Sequence, residues 1–346
     1  MWLARRAPIP ATVARPTRHP VFIADSHLPD SSNPASIVIP TRARPDYLTV
    51  ALASIAPQAE AEGAEVVVVD DAGASPAVQA LAERHGARYE PHPAPLGLNV
   101  ARNTGVQRSS GELVVFVDDD IEASPGWLQA LLQAARRYPD ADVFAGPIRP
   151  RLEGPAPRTC GREQPPITTL NLGAQDTRDI PFAWGANMAI RRTALERVGP
   201  FDTTIEHGGD EQEWQERLLA QTRPAPLGPV GGAGSGRTEG ADPNQIGRLN
   251  ADQTARRIVY VAAAAVDHRR AGNDARLRSL VRTAHARGRA GRRMDAQRDH
   301  TPSLLHELYT LLGCLGHVVR YRCPAGLTMA AHSLGRLEQG LRERRG

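Results

Sequence analysis

The chain has 346 residues, enough for one large domain or two ordinary ones, and 41% of them are hydrophobic, enough for a sizeable core. All 42 basic residues are arginine, and the formal net charge is +4. No stretch reaches the roughly 18 consecutive apolar residues of a membrane-spanning helix. The first 20 residues lack the apolar segment of a secretory signal peptide. A cytoplasmic protein is therefore expected.

Charge and cysteines are unevenly distributed. Residues 256–346 carry 18 Arg against 7 acids, and the rest of the chain carries 24 Arg against 31 acids. A basic tail favours nucleic acid, anionic lipid or phosphate as a partner, or else forms a solvated helical face. Cys160, Cys314 and Cys323 are odd in number and have no CxxC or other metal-site spacing, which indicates free thiols in a reducing compartment.

Three regions follow one another along the chain. Residues 1–34 are rich in Pro and Arg without periodicity, which predicts an extended N-terminal segment. In the first half of the next region, apolar strands are predicted at 36–40, 65–70, 87–90, 112–118 and 141–147. The helices predicted between them lie at 44–55, 75–86, 98–109 and 124–138, the second capped by Ser75 and Pro76 and the last by Ser124 and Pro125.

The second half of the chain is less regular. A loop is predicted at 150–181, a strand and short helix at 182–199, an acidic helix at 208–221, a Gly- and Pro-rich flexible loop at 222–256 and a strand at 257–268. Two or three Arg-bearing helices are predicted at 274–345. We expect a domain over residues 35–270, followed by a basic helical region over 271–346.

Alternating apolar strands and amphipathic helices predict an α/β fold with a mostly parallel sheet covered by helices on both faces. Ligands of such sheets bind outside the carboxyl ends of the strands. Polar side chains stand at three predicted strand ends. They are Thr41 and Arg44, then Asp70 and Asp71, then Asp118, Asp119 and Asp120. All three groups should face one crevice.

The stretch "FVDDDI" at 116–121 is the strongest chemical signal of the sequence. Three neighbouring carboxylates cost free energy unless a positive group lies among them. An Asp-x-Asp spacing after a strand lets two carboxylates approach one Mg²⁺ or Mn²⁺ that also binds phosphate oxygens. The alternative is a solvated acidic loop or a helix N-terminus. No GxGxxG follows the first strand, and neither GxxxxGK[ST] nor GxSxG occurs, which argues against dinucleotide oxidoreductases, P-loop NTPases and α/β-hydrolases.

Six segments in order resemble glycosyltransferase family 2, whose members have the GT-A fold. They are "SIVIPTRARPDYL", "VVVVDDAG", "GLNVARNTGV", "ELVVFVDDDIEASPGWL", "WGANMAIRRTALERVGPFD" and "GGDEQEW". The resemblance covers about residues 35–220, with a further match at "VYVAAAAVDH". It implies a Rossmann-like mixed sheet flanked by helices, here with a helical C-terminal extension.

The resemblance also implies roles for individual residues. Those implied to hold the nucleotide are Pro40, Thr41, Arg44, Asp70, Asp71, Arg102 and Asp119. Asp118, Asp120 and His268 are implied to bind the Mg²⁺ or Mn²⁺ at the donor diphosphate. Those implied to line the sugar and acceptor side are Trp184, Gly185, Asn187 and Trp214. Asp210 and Glu211 match the acidic pair that supplies the base, in reversed order, so either can be the base, and we favour Glu211.

The function implied is that of an inverting glycosyltransferase using a nucleotide-sugar donor and a hydroxyl acceptor, which is a glycan, a lipid-linked glycan or a small natural product. The QxxRW motif of processive synthases is absent, so one sugar per encounter is expected. The alternatives are a nucleotidyltransferase, which would want a Gly-rich loop after the first strand where "PTRARPD" stands, and an inactive relative that binds a membrane surface.

The C-terminal region predicts a partner of its own. The apolar side chains Leu304, Leu305, Tyr309, Leu311 and Leu312 follow a run of arginines. A basic segment before an amphipathic helix is typical of proteins that bind the anionic inner face of a membrane. The alternative is that the apolar face packs on the catalytic domain. The tyrosines are too scattered for base stacking, so nucleic acid is not expected as a partner.

Overall fold

In a computed structural model of the protein, the structure describes residues 33–163, 166–205, 210–221, 258–297 and 301–344, without the side chains of Asp210 and Gln297. The predictions for the N-terminal segment up to residue 32 and for the loop at 222–256 fall outside these residues. The strands within them are β1 (Ala35–Thr41), β2 (Glu65–Asp70), β3 (Arg88–Pro91), β4 (Leu113–Phe116), β5 (Ile121–Ala123), β6 (Val143–Ala145), β7 (Ile148–Glu153), β8 (Thr177–Arg178), β9 (Met188–Arg191), β10 (Ile258–Tyr260) and β11 (Val266–Ala271).

The helices of the same residues are α1 (Pro45–Glu62), α2 (Pro76–Arg84), α3 (Leu98–Gln107), α4 (Trp127–Arg137), α5 (Arg192–Val198), α6 (Asp210–Gln221), α7 (Leu277–Gln297), α8 (Leu304–Tyr321) and α9 (Leu327–Glu343). Short 3-10 turns lie at Gly185–Asn187, Gly272–Ala275 and Pro324–Gly326.

The described strands form a main sheet of eight in the order β3-β2-β1-β4-β9-β6-β10-β8. Strand β1 lies parallel to β2 and β4, and β10 parallel to β6, whereas β9 runs antiparallel to both β4 and β6. The sheet is therefore mixed, with a parallel run β3-β2-β1-β4 on one side and the antiparallel β9 near its centre. Because β1, β2 and β4 end at the same edge, the polar side chains that follow them converge there.

Helices cover both faces of this sheet, as the continuous apolar strands predict. Successive side chains of a strand point to opposite faces. Ile37 and Ile39 of β1 accordingly pack with Leu48 of α1 and Leu131 of α4 in one core cluster. Val38 packs with α3 and α6 side chains in the other. The two clusters form the core on either side of the sheet.

Helix α2 begins as predicted, because Ser75 Oγ accepts a hydrogen bond from Val78 N at 3.4 Å. The predicted cap of α4 by Ser124 and Pro125 is wrong. Ser124 instead opens a turn in which its carbonyl accepts from Trp127 N at 3.1 Å, and the helix begins at Trp127. Gly126 closes the turn at φ 76°, a left-handed conformation that favours glycine.

A second sheet of three strands, in the order β5-β11-β7, was not predicted. The single strand predicted at 257–268 is two strands, and the second of them, β11, continues beyond His268 to Ala271. Strand β7 lies in a stretch predicted as loop, because its exposed Arg149, Pro150 and Arg151 carry no apolar alternation. In this sheet His268 pairs with Ile121, immediately after the three aspartates.

The C-terminal region contains three helices, in agreement with the sequence. Helix α9 packs against both α7 and α8. A Cβ at Gly335 would lie 2.2 Å from the His285 carbonyl oxygen, so glycine permits the close approach of α7 and α9. No helix among the described residues has both the length and the apolar content needed to cross a membrane.

Candidate active site

The three aspartates lie in the connection from β4 to β5, and arginines lie among them. Asp119 and Asp120 are 1% and 2% exposed, and Asp118 is half-buried. Arg44, just after β1, bridges the buried pair. Its Nε donates to Asp119 Oδ2 at 3.2 Å and its Nη1 donates to Asp120 Oδ2 at 3.0 Å. Thr41 Oγ1 also donates to Asp119 Oδ2, at 2.7 Å.

A second guanidinium, that of Arg270, donates to Asp120 Oδ2. Sequence reasoning missed this residue because the last strand was predicted to end at His268. Residues two apart on a strand share a face, so a strand extending to Ala271 would have indicated it. The sequence predicted positive groups among the three carboxylates, and Arg44 and Arg270 of the chain itself are two of them.

His268 and Asp120 form an arrangement suited to a cation. His268 Nδ1 lies 3.2 Å from the Thr168 carbonyl oxygen, to which it donates as Nδ1–H. That tautomer leaves Nε2 as an acceptor. Nε2 lies 3.2 Å from Asp120 Oδ1, and neither atom makes a hydrogen bond. Two buried acceptors that face each other leave a position that a cation would satisfy.

Asp118 completes the set. Ligand atoms of Asp118, Asp120 and His268 all lie within 4.8 Å of one another. Two carboxylate oxygens and an imidazole nitrogen suit a divalent ion such as Mg²⁺ or Mn²⁺. A histidine that donates its second ring N–H to a backbone carbonyl has the orientation that metal-binding histidines adopt. The residues present therefore fit the metal that the sequence implied.

The environments of the three carboxylates differ. Burial raises the pKa of Asp119 to about 6, against the opposing pull of Arg44. Burial also raises the pKa of Asp118, and the neighbouring Asp120 adds to that shift. For Asp120, burial is outweighed by the positive groups around it, Arg270 and Arg44 among them, which hold its pKa well below its usual range. Of the three carboxyl groups, Asp120 is therefore the one whose charged form the protein favours most.

The aspartates at the end of β2 are held by the protein. Asp71 accepts hydrogen bonds from His92 Nδ1 and Leu96 N, both at 2.8 Å, and from Gly97 N at 3.0 Å. These bonds outweigh burial and lower its pKa. Asp70, fully buried, accepts from the Tyr89 hydroxyl at 3.0 Å. The structure thus uses Asp71 to fasten the segment that leads into α3.

Glu211, at the start of α6, faces Arg102 of α3. Its Oε2 lies 3.8 Å from Arg102 Nη1, and its Oε1 accepts from Gly185 N at 3.3 Å. A Cβ at Gly185 would lie 2.1 Å from Arg102 Nη2, so the absence of a side chain there makes room for the guanidinium. Nothing is described of the Asp210 side chain.

Gln215 fixes the position of α6 relative to the segment that contains Ala183 and Gly185. The sequence analysis did not predict a role for this residue. Its Nε2 donates to the Ala183 carbonyl at 2.9 Å, and its Oε1 accepts from Ala183 N at 2.7 Å. Gln215 is fully buried. Its position one turn after Glu211 on the same helix face was the available signal.

Four of the predicted site residues remain to be placed. Two of them are fully buried, and the surroundings of the other two do not decide their role. Asn187 is fully buried, accepts from Trp127 Nε1 at 3.0 Å and donates to the Ala264 carbonyl at 2.8 Å. Trp214 is also fully buried, and its Nε1 donates to the Gly199 carbonyl at 2.8 Å. Both side chains lie inside the protein, so neither is exposed to a sugar in this structure. Trp184 and Pro40 are half-buried.

The sheet order and the carboxylates at its edge define a GT-A fold. The mannosyltransferase PcManGT from Pyrobaculum calidifontis, solved in complex with GDP-Man and Mn²⁺, superposes with a TM-score of 0.50 at 16% identity, covering 89% of this chain and 72% of that one. Residues 36–199 match the family model Glycosyl transferase family 2. This part of the chain is therefore a glycosyltransferase family 2 domain.

Two curated relatives show the range of similar proteins. A pre-mycofactocin glycosyltransferase of Mycobacterium tuberculosis is 30% identical over 198 residues, which are 55% of this chain and 40% of that protein. A validoxylamine A glucosyltransferase of Streptomyces hygroscopicus subsp. limoneus is 28% identical over 254 residues, 64% of this chain and 56% of that protein. The chain thus spans about half the length of these relatives or less.

Proposed function

We propose that this protein is an inverting, non-processive glycosyltransferase that moves a sugar from a nucleotide-diphosphate donor to a hydroxyl acceptor with the help of Mg²⁺ or Mn²⁺. The observation that carries the proposal is the convergence of Asp118, Asp120 and His268, whose ligand atoms lie within 4.8 Å at the edge of the sheet. The GDP-Man and Mn²⁺ named for the Pyrobaculum structure support a nucleotide sugar and a divalent ion here.

In this proposal the residues of the chain divide the work. Asp118, Asp120 and His268 hold the ion, which supplies positive charge to the diphosphate leaving group when it is bound. Arg44, half-exposed beside the carboxylates, is placed to exchange its bond to Asp119 for a phosphate oxygen of the nucleotide. Thr41, Asp70 and Arg102 are the further candidates for nucleotide contacts, with Pro40, Asp71 and Asp119 shaping the same edge.

Glu211 is the proposed base. It would accept the proton of the acceptor hydroxyl as that oxygen attacks the anomeric carbon. Gly185 N and Arg102 hold the Glu211 carboxylate from two sides, next to Gly185 of the proposed sugar side. A single displacement inverts the anomeric configuration. Asp210 remains the alternative base because it is the neighbouring carboxylate.

A panel of nucleotide sugars tests the proposal. We expect one donor to raise the thermal unfolding temperature in the presence of Mn²⁺, and the same donor to be hydrolysed slowly without an acceptor. Asp118→Asn is the matched control and should abolish both effects. Acceptor trials should include a free glycan, a lipid-linked glycan and a small natural product, since one similar protein is a validoxylamine A glucosyltransferase.

The two alternative functions give different results in the same assay. A nucleotidyltransferase would release diphosphate from a nucleoside triphosphate and leave nucleotide sugars intact. An inactive relative would neither hydrolyse nor bind any donor with Mn²⁺. Either result would contradict the proposed activity.

We further propose that α8 attaches this cytoplasmic enzyme to the anionic surface of a membrane, with residues 35–270 as the catalytic domain and 271–346 as the attachment region. Large apolar side chains at helical spacing form an exposed stripe on α8. They are Leu305, Leu308, Tyr309, Leu312, Leu315 and Val319, of which the most exposed reach 78–79%. Around the end of the helix lie exposed arginines, namely Arg158, Arg162, Arg320 and Arg322. Apolar stripes with basic rims suit an anionic bilayer surface.

Some arginines of the C-terminal region form ion pairs within the protein. Arg269 donates to Glu153 at 2.6 Å, and Arg292 lies 3.4 Å from Glu307. The exposed arginines available to a membrane are those around the end of α8 and also Arg278, Arg282 and Arg293 of α7. Sedimentation with anionic and neutral vesicles at low salt tests the proposal. Equal pelleting in both, or self-association of the protein without vesicles, would contradict it.

A further inference from the structure

Two cysteines, a histidine and a glutamate from two distant parts of the sequence lie close together in the structure. Cys160 and Glu163 lie in the connection between β7 and β8, His317 lies in α8, and Cys323 lies between α8 and α9. One ligand atom from each lies within 4.8 Å of the others. Cys160 Sγ is 3.1 Å from Glu163 Oε2 and 3.4 Å from His317 Nε2, and Cys323 Sγ is 3.5 Å from the same Glu163 oxygen.

These separations are close to those of ligands around one tetrahedral ion. With Zn–S bonds of about 2.3 Å and Zn–N or Zn–O bonds of about 2.0–2.2 Å, a sulfur and a neighbouring nitrogen or oxygen lie about 3.6 Å apart. The three measured distances fall within about half an ångström of that value. Two thiols, an imidazole and a carboxylate form a ligand set that selects zinc over the oxygen-preferring Mg²⁺ and Ca²⁺.

The surroundings hold the four groups in place. Glu163 Oε2 also accepts hydrogen bonds from the backbone N–H of Cys160 at 3.1 Å and of Arg162 at 3.2 Å. Carboxylates that bind metals are commonly fixed by such bonds. A Cβ at Gly326 would lie 2.9 Å from the ring of His317, so glycine makes room for the imidazole. The backbone of the two segments is joined by Ala325 N, which donates to the Arg158 carbonyl at 3.2 Å.

We propose that Cys160, Glu163, His317 and Cys323 bind one structural Zn²⁺, separate from the ion at Asp118 and Asp120. Both thiols lose their protons to solvent when the ion binds, so two protons are released for each Zn²⁺. The two thiolates and the carboxylate together carry three negative charges against two on the ion. Four protein ligands close the coordination sphere, which is the arrangement of structural rather than catalytic zinc.

The surroundings of Cys160 argue against a reactive cysteine. Partial burial and the hydrogen bond to Glu163 raise the pKa of the Cys160 thiol. A nucleophilic or redox-sensing cysteine needs the opposite shift. A Cys160–Cys323 disulfide is the remaining competitor, and it would leave Glu163 and His317 without a role.

Zinc at this point would fasten the C-terminal helices to the catalytic domain. The segment that carries Cys160 and Glu163 leads on to Thr168, whose carbonyl accepts from His268 at 3.2 Å. Cys323 lies two residues after the end of α8, the helix that presents the proposed membrane stripe. Loss of the ion should therefore loosen α8 before it affects the core of the sheet.

Cobalt and zinc binding by the full chain tests the site. After treatment with a chelator and a reductant, the protein should take up one Co²⁺ that gives a thiolate-to-cobalt charge-transfer band and the intense visible bands of tetrahedral cobalt. Zn²⁺ should displace it. Binding of Zn²⁺ should also protect two of the three thiols from a thiol-specific reagent. Cys323→Ser should lose the charge-transfer band or bind Co²⁺ at least tenfold more weakly. Glu163→Gln should shift the band.

Two variants serve as controls. Cys314, the third cysteine, lies outside the cluster with its Sγ 3.7 Å from Ser333 Oγ, so Cys314→Ser should keep the full cobalt spectrum. Asp118→Asn should keep it as well, since it affects only the other metal site. Because Cys323→Ser could unfold the C-terminal helices, the wild-type spectrum is decisive by itself. Absence of a charge-transfer band in reduced wild-type protein, or a Cys160–Cys323 disulfide that persists under cytoplasm-like reducing conditions, would overturn the proposal.

Discussion

Nε2 of His268 and Oδ1 of Asp120 lie 3.2 Å apart in the interior, and neither makes a hydrogen bond. With Nδ1 of His268 committed to the Thr168 carbonyl, both facing atoms are acceptors. An unsatisfied buried polar atom costs about 1–3 kcal/mol. A cation between them would remove that cost twice, which links metal binding to the stability of the site.

Asp118→Asn should abolish Mn²⁺ binding while leaving the fold intact, because Asp118 is half-buried and belongs to the proposed ligand set. Calorimetric titration with Mn²⁺ measures the first effect and thermal unfolding the second. Undiminished Mn²⁺ affinity in this variant would remove Asp118 from the site.

Asp120→Asn should also lose Mn²⁺ but in addition destabilise the protein. The sequence alone suggested that removing one carboxylate would relieve repulsion. Arg44 and Arg270 both donate to Asp120, so its neutralisation weakens two charged contacts. We expect a loss of about 1–3 kcal/mol, limited by the partial exposure of Arg44. Urea unfolding without metal measures it, and a stability equal to wild type would show that the arginines find other partners.

Glu211→Gln should lower turnover by about 10²–10⁴-fold with little change in donor affinity, because a base acts on the acceptor proton in the transition state. Asp210→Asn is the paired control at the neighbouring position. Steady-state kinetics with the donor found in the panel would separate them. A severe loss in Asp210→Asn alone would transfer the role to Asp210.

Gly185→Ala should raise KM for the donor, because the new Cβ would lie 2.1 Å from Arg102 Nη2 and displace the guanidinium. Gly313→Ala is the matched control, since nothing lies within 4 Å of a Cβ at that position in α8. The control should keep wild-type kinetics and match or exceed wild-type stability. Equal KM values in both variants would separate Arg102 from donor binding.

Asn187→Leu should lower the free energy of unfolding by about 1–3 kcal/mol, because Trp127 Nε1 would lose its buried partner. Asn171→Leu, at an exposed position where the side chain accepts only from the nearby Gly173 N at 3.0 Å, should lose less than Asn187→Leu, because water can replace that partner. Urea unfolding compares the two. A loss of kcat in Asn187→Leu without a loss of stability would support the predicted role of this residue on the sugar side.

Acid should weaken the protein partly through Asp71. Its pKa is lowered in the folded state, so the unfolded state binds the proton more readily. Its contribution to stability is present above the unfolded pKa of about 3.9 and is lost as the pH falls through the lower folded value. Unfolding free energies at a series of pH values should therefore fall less steeply in Asp71→Asn than in wild type. Parallel curves would contradict this.

Local patterns in the sequence determined the sheet and the edge where its polar side chains lie. The buried run Val66–Val69 is apolar on both faces, which by itself predicts a central strand. Residues that follow parallel strands meet at one edge whatever the loops do, so Thr41, Arg44 and the three aspartates could be brought together from the sequence. The sequence placed Asn187 and Trp214 at a surface because a motif match names residues without reporting their burial.

Only the tertiary structure decided the contacts between distant segments. Arg270 reaches Asp120 because β11 pairs with β5, a pairing that no hydrophobic period announces in so short a strand. Cys160 and His317 are 157 residues apart, and the spacing of the cysteines had indicated free thiols rather than a metal site. Sequence periodicity reports which face of an element is buried, whereas a site built from three separate segments depends on the path of the whole chain between them.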